Sequence, residues 1–466
     1  MKSKLKPSSW LLIAVGILLP FLWVTIFKRY HPADVGFFRD WSVCLHQSWR
    51  TIYLDCATRI PNYPTVGIFW SAGLLTLLRE GLGMSDPAIA DRWFRYILAV
   101  FESGNFLLLV WLFRLSQFRQ PVAIALGITI IPSTWAGAAI WGQIDHVALF
   151  FLLVAIGTTL AFWRSLDDHQ NSSAIPKIHG LYCLIIPLGA TLYILTKQIS
   201  LFSFPFLLAL LLITISKLQV QRRRSGWMQL LILLVAFAIS FRLLDSLMLV
   251  RSSYLGSSFI SVWSEGTGHG NGITGNGTNL WLLLGESWRD AHAPLFSIGV
   301  NTFKPYTLGI VSYALLLIFL FQSMFKAVRQ ERAIARLQKM SDVIPLFYRC
   351  CFFYGVSWLG FSTLLTGIHD RHPYNAYIFL LISLAYYGFE KRRWQGTILF
   401  FSGFVATMYG LFIFATLRPI HPLFFAVERN EFIATLQAVW LLAMIAQWGD
   451  LGRALKIQRW RLQHFG

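Results

Sequence analysis

The chain has 466 residues, of which 56% are hydrophobic, 16% aromatic and 13% charged, with a mean hydropathy of +0.57. A soluble domain cannot bury that much apolar surface, so the composition excludes one and points to a polytopic membrane protein. The formal net charge of +19 would indicate a nucleic-acid partner in a soluble domain. Here the basic residues sit in short loops between apolar runs, where they set membrane orientation.

Runs of roughly 20 residues, enough to cross a hydrocarbon layer at ~1.5 Å per residue, recur about a dozen times. They fall near 9–27, 91–113, 121–140, 146–163, 180–196, 198–216, 227–249, 305–324, 345–366, 374–389, 396–416 and 431–448. The two runs that meet at Lys197 are short and tightly joined, so a re-entrant hairpin is the alternative there. Lys2, Lys4 and Lys6 precede the first run, Arg114 and Arg119 follow the second, and Lys217, Arg222, Arg223 and Arg224 follow the sixth. The pattern continues in a basic loop over 325–344 (Lys326, Arg329, Arg332, Arg336, Lys339), in Lys391, Arg392 and Arg393, and in Arg453, Lys456, Arg459 and Arg461. If the spans alternate, all of these lie on one face, the cytoplasmic one, and both termini with them.

That alternation holds only if the apolar stretch 66–82 is an interfacial or embedded helix inside a long first external segment, 28–90, rather than a crossing. A second external segment, 250–304, is rich in Gly and Asn around 264–279 and reads as partly irregular. The N-terminus has a basic start and an apolar run with no small-residue cleavage site before Lys28, the pattern of a retained span. The five cysteines have no metal-binding spacing. Cys44 and Cys56 share the first external segment, where an oxidising compartment would let them pair, although proximity in sequence does not decide it. The expected architecture is a single all-α integral membrane domain.

The ionisable residues outside the basic loops recur at the opposite ends of the spans: Asp34, Asp40, Asp145, His146, Lys197, His369, Asp370, Arg371 and His372. Ionisable groups at membrane depth are costly and usually functional, so their one-sided clustering reads as an active site.

These residues lie in short motifs: DVGFFRDW at 34–41, NYP at 62–64, WGQIDH at 141–146, TKQ at 196–198, NLWLLLG at 279–285 and IHDRHPY at 368–374. In this order the set resembles the GT-C superfamily of lipid-phosphate-sugar-dependent glycosyltransferases. Within it the chain is most similar to bacterial relatives of the GPI mannosyltransferase that adds the second mannose, and more distantly to the endoplasmic-reticulum glucosyltransferases. The resemblance implies inverting transfer of one hexose, mannose first among the candidates, from a polyprenyl- or dolichyl-phosphate donor. The acceptor would be lipid- or glycan-linked, on the non-cytoplasmic face of a bacterial plasma membrane or of the endoplasmic reticulum; no cofactor is expected, with a divalent metal as the alternative. Three stretches depart from the family pattern: NYPT at 62–65, HDRHPY at 369–374 and the Gly-rich 264–278.

Such a reaction needs a base for the acceptor hydroxyl and cations for the departing phosphate. Asp34 is the expected base, since it carries the family's spacing to Trp41 and seven positions return to the same helix face. Asp40 is its rival, and pairing with Arg39 or helix capping is the structural alternative for both. Asp145 orients the acceptor or the base, or is an ordinary N-cap. Lys197 offers a point charge to phosphate, or snorkels to the interface. Arg371 is the first choice for the donor phosphate because arginine binds it through two parallel hydrogen bonds, with His369 assisting and Asp370 orienting. His369, Asp370 and His372 would suit a divalent metal only with a further ligand. Trp41, Tyr63, Trp141 and Trp281 are placed to meet sugar faces or simply the interfacial belt, and Gln143, His146, Gln198, Asn279 and His372 complete the expected substrate contacts.

Two other functions share these features. A flippase for lipid-linked glycans would place polar groups near the bilayer midplane, often on broken helices in repeated halves; a glycan ligase or polymerase would transfer a longer chain from the same face.

Overall fold

The computed structural model describes residues 7–27, 32–56, 61–139, 141–168, 177–220, 224–247, 257–260, 262, 274–275, 279–284, 290–333, 340–369, 373–390, 395–415 and 431–447. Helices dominate. In chain order they are α1 (Pro7–Ile26), α2 (Pro32–Gln47), α3 (Ile52–Asp55), α4 over 65–81, α5 (Pro87–Leu115), α6 (Pro121–Thr129), α7 (Pro132–Ala139), α8 (Asp145–Asp168) and α9 (Lys177–Ile194). Then come α10 (Phe204–Val220), α11 (Arg224–Ser246), α12 (Pro305–Ala333), α13 (Met340–Leu364), α14 (Tyr374–Ala385), α15 (Gln395–Ala415) and α16 (Glu431–Gln447). Among the described residues seven helices are long and apolar enough to cross a membrane, or eight if the bent pair α6–α7 is one span. The protein is thus a multi-pass, all-helical membrane protein. Each expected apolar run coincides with a helix or a bent pair, but α9, α14, α15 and α16 are not among the helices long and apolar enough to cross.

Local chemistry sets the boundaries. Six helices (α1, α2, α5, α6, α7 and α12) open on proline, whose fixed φ suits the first helical position and whose missing N–H would go unpaired there anyway. Asp86 caps α5 by accepting from the Ala88 N–H at 2.8 Å. Pro132 disfavours a helical residue before it, and α6 and α7 meet at 57°. Thr134 Oγ1 donates toward the carbonyls of Ile128, Thr129 and Ile131 at that bend.

The stretch 66–82 lies in α4, where α turns (Thr65–Ile68, Leu74–Thr76) alternate with π turns (Phe69–Gly73, Leu77–Gly81). It packs on α2 and α5. The expected first external loop is therefore mostly helix, and the expected basic loop over 325–344 is largely a continuation of α12 to Ala333 and the start of α13. The hairpin alternative around Lys197 gives way to divergence: α9 packs between α8 and α11, whereas α10 packs on α12 and α13.

Side-chain contacts sort the helix ends into two poles. At one, Lys217 near the end of α10 pairs with Asp167 near the end of α8 at 2.6 Å, and His179 at the start of α9 bonds Ser165. Tyr348 near the start of α13 donates to Ser116 just past α5. The other pole gathers the starts of α5, α8, α12 and α14 with the ends of α1, α9, α11 and α13, and it holds the strands. Parallel β1 (Thr274–Gly275) and β4 (Ile368–His369) pair Thr274 with Ile368 and Gly275 with His369; antiparallel β2 (Phe296–Ile298) and β3 (Asn301–Phe303) form a hairpin. A disulfide joins Cys44 and Cys56 at this pole.

Cutting that bridge with Cys44→Ser is expected to cost about 2–4 kcal/mol, measured as earlier thermal unfolding of the purified protein, and non-reducing peptide mapping of the wild type should recover the linked 44 and 56 peptides.

Candidate functional site

At the centre of the strand-bearing pole, α9 stops at Ile194 and Lys197 enters an extended conformation before a 3-10 turn over Gln198–Ser203. Its Nζ donates to Asp145 Oδ1 at 2.7 Å, and the two side chains are only 5% and 13% exposed. A buried pair is sustained only when both charges stay matched. Helix ends help: Asp145 opens α8, where the dipole favours an anion, and Lys197 follows the C-terminal end of α9, where it favours a cation. Above the ammonium lies the Tyr63 ring, 5.5 Å from Nζ, a distance suited to cation–π attraction.

Tyr63 is itself held on every side. Its hydroxyl donates to Gln143 Oε1 at 3.0 Å, and its carbonyl accepts from Tyr53 at 2.8 Å. Burial pushes the Tyr53 phenol well above its ordinary range, keeping it a donor. Trp41 meets the Tyr63 ring edge-on at 5.4 Å and Phe38 lies 5.8 Å away, so α2 covers the ion pair with aromatic surface.

Two glycines permit this closeness. Gly67 donates its N–H to the Leu195 carbonyl at 3.0 Å, and a Cβ there would stand 2.1 Å from the Thr196 carbonyl oxygen. Gly142 has φ +71°, and its Cβ would lie 2.7 Å from a Val35 methyl. This left-handed turn lets the N–H groups of Trp141, Gly142 and Gln143 cap carbonyls of α7, returning the chain into α8 with Asp145 in front. Arg95 fixes the same turn, donating from Nη1 to the carbonyls of Ala139 and Phe27, each at 2.8 Å.

Other buried polar groups lie on neighbouring helices. Asp245, buried at the end of α11, accepts from Ser257, Ser258 and the Phe259 N–H at 2.5, 2.6 and 2.8 Å. Thr65 bonds both Ser258 and the Asp245 carbonyl. Glu102 lies 3.0 Å from His146 Nε2, and the Tyr374 ring stacks obliquely on His146 at 4.6 Å. Arg39 reaches toward buried Asp91 at 4.0 Å. Sequence reasoning passed over Asp245, Glu102, Asp91 and Arg95; each is an ionisable residue inside or at the end of an apolar run, which is the signal that could have marked them.

Of the expected site residues, the structure brings Trp41, Tyr63, Trp141, Gln143, Asp145, His146 and Lys197 together, all but Asp145 fully buried. Lys197 is not a free phosphate ligand, because Asp145 already holds it. Asp34 lies on the first turn of α2, one residue from Val35 and in helical register with Phe38 and Trp41; its side chain is outside the described residues. Asp40 is exposed on α2. Gln198 is half-buried at the start of the 3-10 turn. Asn279 and Trp281 are buried, and both donate to carbonyls at the end of α13, Leu365 and Leu364, so they pin the second external segment. Asp370, Arg371 and His372 lie outside the described residues, as does the His369 side chain, and with them the candidate metal cluster. Their flanks are placed: His369 pairs through β4 with Gly275, and Tyr374 packs on His146.

No protein-family model matches the chain, and neither does the sequence of any curated protein.

Removing one member of the pair should expose its importance. Lys197→Met leaves Asp145 buried and unmatched, an expected loss of about 3–5 kcal/mol, whereas Lys197→Met with Asp145→Leu should recover most of it in the same thermal-unfolding measurement. Gly67→Ala is expected to destabilise by about 1–3 kcal/mol through the clash with Thr196.

Proposed function

We propose that the protein is a membrane-embedded glycosyltransferase that moves one hexose, mannose first among the candidates, from a polyprenyl-phosphate donor to a lipid- or glycan-linked acceptor. The observation that carries this reading is the convergence of Tyr63, Gln143, Asp145 and Lys197, from three distant segments, beneath the helix that bears Asp34. Ionisable groups at membrane depth are costly and by default mark a functional site, which supports a polar substrate at this pole. The Cys44–Cys56 bridge supports assigning that pole to an oxidising, extracytoplasmic compartment.

In this reading Asp34 takes the acceptor proton as the hydroxyl oxygen attacks the anomeric carbon, and the phosphate leaves with the bonding pair. Arg371 and His369 offset the charge developing on that phosphate. Lys197 and Asp145 form a fixed dipole that orients the site, since a cation already matched by a carboxylate attracts phosphate less than a free one. Trp41 and Tyr63 keep water from the reacting centre.

A flippase is the second reading, and the broken pair α6–α7 favours it, because bent spans line transporter sites. The gathering of polar contacts at one pole weighs against it. A glycan ligase or polymerase fits the same pole.

Incubation of the purified protein with defined polyprenyl-phosphate sugars tests the reading directly. Asp34→Asn is expected to reduce transfer by about 10²–10⁴-fold with unfolding temperature unchanged; wild-type turnover would move the base, with Asp40 examined next. Arg371→Ala should raise the KM for donor far more than that for acceptor, and an unchanged donor dependence would remove it from the site.

A further inference from the structure

We propose that the β2–β3 hairpin dips its apolar face into the lipid leaflet at the strand-bearing pole, as an interfacial anchor beside α12. Its strands pair Phe296 with Phe303 and Ile298 with Asn301, leaving a two-residue turn at Gly299 and Val300. Gly299 has φ +59°, the left-handed conformation that glycine supplies at the first position of such a turn. Val300 is thereby held at the tip.

Side chains alternate between the faces of a strand, and cross-strand partners share a face. One face of the ribbon carries Phe296, Phe303 and Ile298, with Asn301 at its edge, and the two rings stack at 4.9 Å. Ser297 and Thr302 pair on the other. The ribbon is amphipathic, yet little protein covers its apolar side: Phe296 is 47% exposed, Ile298 65% and Val300 99%. A two-stranded hairpin is marginal alone in water, and exposed apolar patches mark surfaces that meet a partner.

Position, direction and charge make lipid that partner. The membrane-length stretch of α12 begins at Pro305, so the Cα of Phe303, two residues earlier, lies within about 7 Å of where the span starts. The hairpin base is tied to the first turn of α12, because the Tyr306 N–H donates to the Ala291 carbonyl at 3.1 Å and the His292 ring packs on Tyr306 at 4.5 Å. Tyr306 heads the exposed stripe of α12, which continues through Ile310, Val311, Leu315 and Ile318. The hairpin therefore springs from the lipid-facing side of the span. Residues 294–303, PLFSIGVNTF, contain no ionisable group, whereas Asp290, His292 and Lys304 flank the base. Charges sit at the foot and apolar residues at the tip, the polarity of a segment that enters a headgroup layer. A stable protein interface engages about 20–30 residues a side, more than this ribbon offers. Asn279 and Trp281 fasten the upstream part of the same external segment to the end of α13, so the anchor holds its downstream part.

The full-length protein in lipid nanodiscs, with no substrate present, tests this contact. Val300→Cys carries an environment-sensitive fluorophore, and labelling is selective because Cys44 and Cys56 are bridged and Cys183, Cys350 and Cys351 are buried. Asp290→Cys, at the exposed base, is the aqueous reference. The tip fluorophore is expected to be quenched by lipids bearing a nitroxide near the headgroup and shielded from iodide, and the reference fluorophore the reverse. Adding Ile298→Ser to the labelled Val300→Cys protein should raise iodide quenching of the tip several-fold with unfolding temperature unchanged, whereas a dye that partitions by itself would be indifferent to it. Iodide quenching at the tip equal to the reference would place the hairpin in water and overturn the inference. Shielding from both quenchers would overturn it too, by showing that a second copy or another protein covers the ribbon, and so would indifference to Ile298→Ser.

Discussion

A single buried ion pair organises this protein. Lys197 and Asp145 meet at 2.7 Å where solvent barely reaches them, and each charge makes the other tolerable. Separating them would strand a full charge in an apolar bundle, so the end of α9 and the start of α8 cannot drift apart. Everything nearby is arranged to preserve that contact: the Tyr63 ring over the ammonium, Gln143 holding the phenol, and α2 laid across both. The close approaches at Gly67 and Gly142 are the steric conditions for it.

The two poles are built differently. Around the ion pair, side chains bond backbone carbonyls freed at helix ends, as Arg95 does for Ala139 and Phe27, and Trp281 and Asn279 do for the end of α13. Backbone groups at helix ends have no intrahelical partner, and at this pole they are answered by protein rather than left to water. At the opposite pole the ties among the described residues include Lys217 with Asp167 and His179 with Ser165. Between the poles the core is aromatic and aliphatic, with α8 and α13 the most enclosed spans at 89% buried. A rigid polar end on an apolar stem is the form expected of a site that must hold its geometry at an interface.

Much of this was legible in the sequence. Hydropathy located the apolar runs because an α-helix satisfies its own backbone in lipid, leaving side-chain polarity as a direct readout of environment. Proline at the first position of six helices is a boundary signal that hydropathy alone does not read. The one-sided placement of Asp145, Lys197, Tyr63 and Gln143 followed from alternation of the spans. Pairing did not. That Lys197 is matched by Asp145, rather than left open for phosphate, depends on how two helix ends face each other across 52 positions. Asp245 and Glu102 were hidden for a related reason: a lone acid in an apolar run carries no motif, and its partners, Ser257 and Ser258 or His146, come from other segments. The Cys44–Cys56 bridge required knowing that α2 and α3 fold back on each other.

Helix α11 deserves a physical reading of its own. Among the described residues α11 is the least enclosed of the candidate spans, with 11% of its apolar stretch buried, yet its last turn carries Asp245 and is bonded to Thr65, two residues from Tyr63. A helix exposed in this way adjusts its tilt to the hydrocarbon thickness around it. Its far end is fastened through Thr65 to the segment that carries Tyr63, so the least enclosed span is tied at that end to the ion-pair cluster.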